Sequence, residues 1–136
     1  MILVINTAEP TKIQLFLVKD RLIIIKKQLA VRFNQTEKLL PAIDKLIKLA
    51  KSSLVDLRGI GVVVGPGPFT AVRVGVATAN ALALALHQPV VSLKLDEIKD
   101  DEALIGLVCS RLKKNSKKNL ATPLYDKEPN ITKKKV

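Results

Sequence analysis

The chain has no tryptophan, one tyrosine and three phenylalanines, so its 48% apolar content is almost wholly aliphatic and any core must be built from Leu, Ile, Val and Ala. Cysteine is nearly missing as well. Cys109 has no second cysteine for an intramolecular disulfide, and the one histidine, His87, is too distant in sequence to suggest a Cys/His metal site. That usage fits a reducing cytosol, with Cys109 a small buried or half-buried apolar side chain. Long apolar runs are also lacking. The longest stretch without a formal charge, residues 74–93, contains Asn80, His87, Gln88 and Pro89, too interrupted for an expected bilayer span. The N-terminus opens on a strand-like run with neither a basic segment nor a small-residue cleavage site, so no export and no membrane association is expected.

Positive charge, by contrast, is in excess. The net charge is +11, and residues 111–136 account for +7 of it, with nine Lys/Arg against two acids. A chain of 136 residues has the size of one domain. The expected division is a folded lobe over residues 1–114 and a basic, flexible tail over residues 115–136, which carries Asn-Ser-Lys-Lys-Asn, Pro123 and Pro129.

Short β-branched and aliphatic runs at residues 2–5, 13–18 and 22–25, the last two separated by Lys19-Asp20-Arg21, predict an antiparallel β-meander. The period then becomes helical. Leu39, Leu40, Ile43, Leu46, Ile47 and Ala50 share one face after Asn34-Gln35-Thr36-Glu37, where Asn34 or Thr36 can cap and Pro41 is acceptable in a first turn. The run at residues 60–64 reads as a strand buried on both faces. Residues 65–70 form a loop, and Thr70 is the expected N-cap of a helix over residues 71–87. A strand at 90–93 and a helix over 96–114 complete the pattern, the latter with acids first and bases last, as the helix dipole favours. No internal repeat is present.

A glycine-rich loop between a strand and a helix is where backbone N–H groups hold phosphate. Here Pro66 and Pro68 remove two such donors, and the loop has neither a P-loop ending nor dinucleotide spacing. Gly65, Pro66, Gly67, Phe69 and Thr70 therefore read as a tight structural turn. His87, without a paired nucleophile or carboxylate, reads as structural. Asp96, Glu97, Asp100, Asp101 and Glu102 are explained by the start of a helix, without a metal. No catalytic residue, metal or cofactor is predicted.

The helix over 71–87 is apolar nearly all round, so more than one of its sides must be covered. Ala71, Gly75, Ala79 and Ala83 recur at spacing four and form a ridge of small side chains that admits a second helix at close range, either this chain's own helix at 37–50 or a partner's. Arg73 lies in the predicted first turn, where a cation opposes the dipole. It is either a solvated side chain with its stem on the surface or half of a salt bridge to a partner or a neighbouring carboxylate.

In order along the chain, ILVINTAEP, RFNQTEKLLPAIDKLIKLA and IGVVVGPGPFTAVRVGVATANALALALHQPVVSL resemble the N-terminal lobe of the TsaB (YeaZ) family over residues 1–95. That family shows Asp-Thr after the first strand, His-Ser before Glu-x-Leu-Leu-Pro, and a Gly-Pro-Gly-Ser-Phe-Thr-Gly-x-Arg-x-Gly loop and helix. Thr7, Gly65, Pro66, Gly67, Phe69, Thr70, Arg73 and Gly75 match. Asn6 stands in place of the Asp, Asn34-Gln35-Thr36 differ around His-Ser, Pro68 replaces Ser and Ala71 replaces Gly. Residues 123–132 resemble the Pro-x-Tyr-x-x-x-Pro near the family's C-terminus, as in a shortened form without the second lobe.

The resemblance implies an α/β fold, an actin-like and Hsp70-like (ASKHA, ribonuclease H-like) lobe with a mixed sheet, an N-terminal β-meander and flanking helices. It also implies a noncatalytic subunit of tRNA N6-threonylcarbamoyladenosine modification. Such a subunit lacks the metal and nucleotide ligands of the transferase TsaD and supports it by docking, with the ATPase TsaE as a third component. The expected contact uses the helices at 36–50 and 70–87 through Leu39, Ile43, Leu46, Ile47, Ala71, Arg73, Gly75, Ala79 and Ala83, in a heterodimer with TsaD or in a homodimer. The alternative reading is a basic nucleic-acid binding or self-assembling scaffold protein, with Lys113, Lys114, Lys117 and Lys118 making weak tRNA phosphate contacts. A surface without aromatic platforms argues against sequence-specific RNA readout. A protease reading finds no nucleophile or metal dyad.

Overall fold

Alternation of exposed and half-buried positions, the signature of a sheet with one better covered face, holds along the edge strand at 22–30 and fails completely along the strand at 59–65. In the computed structural model, which describes residues 1–32, 34–114 and 121–122, all seven residues of that second strand are buried. The elements run β1 (Ile2–Asn6), β2 (Lys12–Lys19), β3 (Leu22–Ala30), α1 (Gln35–Leu49), β4 (Gly59–Gly65), α2 (Phe69–Leu86), β5 (Val90–Lys94) and α3 (Asp101–Lys114). The strands form one mixed sheet in the order β3-β2-β1-β4-β5. The first three are an antiparallel meander, and β4 and β5 join β1 in parallel.

The meander turns at Asp20 and Arg21, both left-handed with φ 52° and 62°. This is the double positive φ that lets a two-residue turn match the twist of its strands. β3 continues to Ala30, five residues past the predicted run, because it stays paired with β2 as far as Lys12. Lys26, in that extension, lies 5.5 Å over the Phe16 ring and pairs with Asp101 at 3.3 Å.

Helices cover both faces of β4. α3 packs on the face that carries Gly59 and Gly61, where a Cβ would meet Leu112 Cδ1 at 2.8 Å and Val108 Cγ2 at 2.6 Å. Glycine at these alternate positions lets α3 settle on the backbone. α1 and α2 lie side by side on the opposite face, and the aliphatic core fills the space between them and the sheet.

The helix starts differ from the sequence reading. α1 begins at Gln35, and Asn34 gives it no side-chain cap because its Oδ1 accepts the Arg32 N–H at 2.8 Å. Pro41 lies inside α1, past the first turn, on the exposed side, where water can satisfy the carbonyl it leaves open. α2 begins at Phe69 after Pro68, so Thr70 sits in the first turn and is not the cap, and Arg73 falls in the second turn. Residues Leu95–Glu97 form a 3-10 turn, and α3 starts only at Asp101, where Asp100 Oδ1 accepts the Ala103 N–H at 2.8 Å.

Of the expected tail, residues 115–120 and 123–136 lie outside the described residues. Ala121 is buried, and the side chain of Asn80 on α2 grips it twice, donating to its carbonyl at 3.0 Å and accepting its N–H at 2.9 Å. At that point the chain is part of the packed lobe, not an appendage.

Candidate functional site

The residues expected to meet a partner divide sharply by orientation. On α1, Leu39, Ile43, Leu46 and Ile47 are buried within this chain. On α2, Ala71, Gly75, Ala79 and Ala83 are buried too, against the chain's own sheet. The small ridge is therefore not an outward surface. Its purpose is visible at Gly75, where a Cβ would collide with Oγ1 of Thr7, a fully buried residue just past β1. Thr7 Oγ1 donates to the Ala71 carbonyl at 2.5 Å, which ties α2 to the end of β1. Gly67 is held the same way, since a Cβ there would collide with the Ala8 carbonyl oxygen. Gly65 takes φ 117°, a conformation that L side chains rarely adopt. Thus the loop packs on the protein's own backbone.

Of the nine expected contact residues only Arg73 is exposed. The outward surface is made by residues that spacing alone did not separate from the core set. Between Leu40 of α1 and Phe69, Arg73, Val74, Ala77 and Thr78 of α2 runs a groove of about 340 Å³. Leu40 is 55% exposed and Leu84, further along α2, 61%. The guanidinium of Arg73 lies 5.5 Å over the Phe69 ring. A second hollow of about 360 Å³, lined by Pro10, Gln35, Pro68, Phe69 and Ala71, lies at the N-terminal ends of both helices. By length and composition α2 is apolar enough to cross a bilayer, but six of its residues are buried against the protein itself.

At the position where the resembling family has Asp, Asn6 is 1% exposed and fully engaged. Its Nδ2 donates to Gln14 Oε1 at 2.9 Å, its Oδ1 accepts the Ala8 N–H at 2.9 Å, and Gln14 Nε2 continues the row to Gln28 Oε1 at 3.2 Å. Among the described residues no three His, Cys, Asp or Glu side chains gather as metal ligands. His87 ends α2 in the left-handed conformation with φ 55°. The one strongly shifted acid serves structure: Arg111 makes a bidentate pair with Glu97 at 2.6 and 2.9 Å and also donates to the Ser92 carbonyl at 2.7 Å. The Arg111 pair, with the Lys94 N–H, lowers the Glu97 carboxyl to about 2. Lys113 and Lys114 are exposed at the end of α3, and Lys117 and Lys118 lie outside the described residues.

The family model described as "TsaD: tRNA N6-adenosine threonylcarbamoyltransferase" matches residues 30–95, which run from α1 through β5. Two curated proteins named "tRNA threonylcarbamoyladenosine biosynthesis protein TsaB" are similar over 60 residues, 44% of this chain. The one from Escherichia coli is 31% identical and that from Buchnera aphidicola 38%. Over these residues the chain is similar to proteins of the TsaB family. The matched segments span 26% and 29% of those two proteins' length.

Two solved structures share the fold: "YeaZ from Pseudomonas aeruginosa" and a protein described as similar to peptidase YEAZ from the same organism. Each has a TM-score of 0.61 and 24% identity over 68% of this chain, and they are covered to 43% and 42% of their own length. The chain thus shares the α/β fold of those structures, with its meander at one side of the mixed sheet and helices on both faces. Within it, Thr7 and Gly75, two of the residues that match the family pattern, form one contact.

Proposed function

We propose that this TsaB-like lobe serves tRNA threonylcarbamoyladenosine formation as a noncatalytic subunit that docks on the transferase TsaD, with TsaE joining through the complex. The observation that carries the reading is the outer face of α1 and α2, where Leu40 and Phe69 stand exposed at a groove and Leu84 is exposed further along α2, while the inner faces of the same helices are full. Fully burying one such side chain is worth about 1.5–3 kcal/mol. A partner covering several of them offsets the entropic cost of association only if it also packs the groove closely.

The noncatalytic part rests on Asn6 and the loop. Both ends of the Asn6 amide are engaged within the sheet, and Pro66 and Pro68 withhold donors from the turn after β4. Weak attraction of tRNA is the second element of the proposal, favoured by the net +11 charge and by exposed Lys113 and Lys114.

The test is co-expression with TsaD followed by sedimentation velocity of the purified mixture. A stoichiometric complex that is lost in Thr78→Trp, which plugs the groove without entering the core, supports docking. Free sedimentation of both proteins at tens of micromolar concentration refutes it.

A further inference from the structure

Arg73 leaves the second turn of α2 on its exposed side and is held at the mouth of the groove by the face of Phe69, 5.5 Å away. A guanidinium stacked on a ring is partly oriented before any ligand arrives. Among the described residues no carboxylate pairs with it: the ion pairs there are Lys12–Glu9, Lys26–Asp101, Lys48–Asp44 and Arg111–Glu97. Its place in the second turn of α2 is too far from the helix C-terminus for the dipole there to support a cation. The neighbouring groove walls, Leu40, Val74, Ala77 and Thr78, carry no charge. Whatever fills this groove therefore closes over a cation that must be compensated, because a charge taken from water without a partner is strongly unfavourable.

We propose that Arg73 is the specificity-determining residue of the groove and that it reads a carboxylate carried by an otherwise apolar helix of the partner. This rests on the docking reading above and gives that reading a charge criterion. The occupant is a TsaD helix bearing Asp or Glu among apolar residues, and a second copy of this chain fits poorly. Self-association brings together two chains of net charge +11, and the outer side of α1 adds Lys38, Lys45 and Lys48 against Glu37 and Asp44, the latter already paired with Lys48 at 2.9 Å. Like charges facing each other across an interface select against that pairing.

Calorimetric titration with TsaD at low and at high salt tests the inference, using the wild type, Arg73→Met, Arg73→Lys and Thr78→Trp. Arg73→Met keeps the apolar stem and is expected to weaken binding tenfold or more and to flatten its salt dependence. Arg73→Lys recovers only part of the loss, because an ammonium lacks the planar fork. Unchanged thermal midpoints in all three variants place the effect at the interface. If Arg73→Met binds as tightly as the wild type while Thr78→Trp does not bind, the carboxylate-reading role is overturned and docking stands. If the wild type itself does not bind TsaD, or binds it regardless of both Arg73→Met and Thr78→Trp, both inferences fall.

Discussion

Substituting Gly75 by alanine asks directly which way the small ridge of α2 faces. The added methyl would collide with Thr7 Oγ1, and the nearest Thr7 carbons lie only 3.1 and 3.2 Å from it. Thr7 is fully buried and donates to the Ala71 carbonyl at 2.5 Å, so it cannot turn away without leaving a buried hydroxyl unpaired. Overpacking of this kind costs about 1–3 kcal/mol, and the lost hydrogen bond adds about 0.5–1.5 kcal/mol. Against this, alanine gains about 1 kcal/mol over glycine in helix propensity. The net expectation is a destabilisation of about 1–3 kcal/mol, or roughly 4–12 °C in thermal midpoint for a domain of this size. Circular dichroism during heating and in urea measures it. Thr7→Ala in the same chain should relieve the collision, so the double-mutant cycle should show a coupling of about 1 kcal/mol or more. If Gly75→Ala is as stable as the wild type and yet fails to bind TsaD, then the ridge faces the partner and the packing argument is wrong.

The pair of Glu97 with Arg111 should give a pH signature. The folded carboxyl sits at about 2 against its usual value near 4.5, so its stabilising contribution is fully present above pH 4.5 and is lost as pH falls from there towards 2. Both side chains are about a third exposed, which holds the gain to roughly 1 kcal/mol. Wild type and Glu97→Gln should therefore differ at pH 7 and converge near pH 2, and a gap that persists at pH 2 would show that the effect is not ionic. Asn80→Leu removes both hydrogen bonds to Ala121 and should lower stability by about 1–3 kcal/mol. Deleting residues 121–136 should reproduce that loss, and a deletion without effect on the midpoint would return the segment to the status of an appendage.

Periodicity carried much of the architecture. The alternating runs at the start, the buried run at 60–64 and the apolar seam of α1 each depend on local chain geometry that a short window reveals. The matching residues of the loop and helix at 65–75 carried the family resemblance. Helix starts were less legible, because Asn34 and Thr70 have the chemistry of caps but only tertiary packing decides whether the chain has already turned helical there. The orientation of α2 could not be read from the chain at all. A helix apolar nearly all round offers several equivalent faces, and spacing finds the small ridge without saying what it touches. That is decided by Thr7, whose hydroxyl reaches a carbonyl 64 residues away and leaves no space above Gly75 for even a methyl group. Once that contact turns the ridge inward, Arg73, Val74, Ala77 and Thr78 are left to line the outer groove.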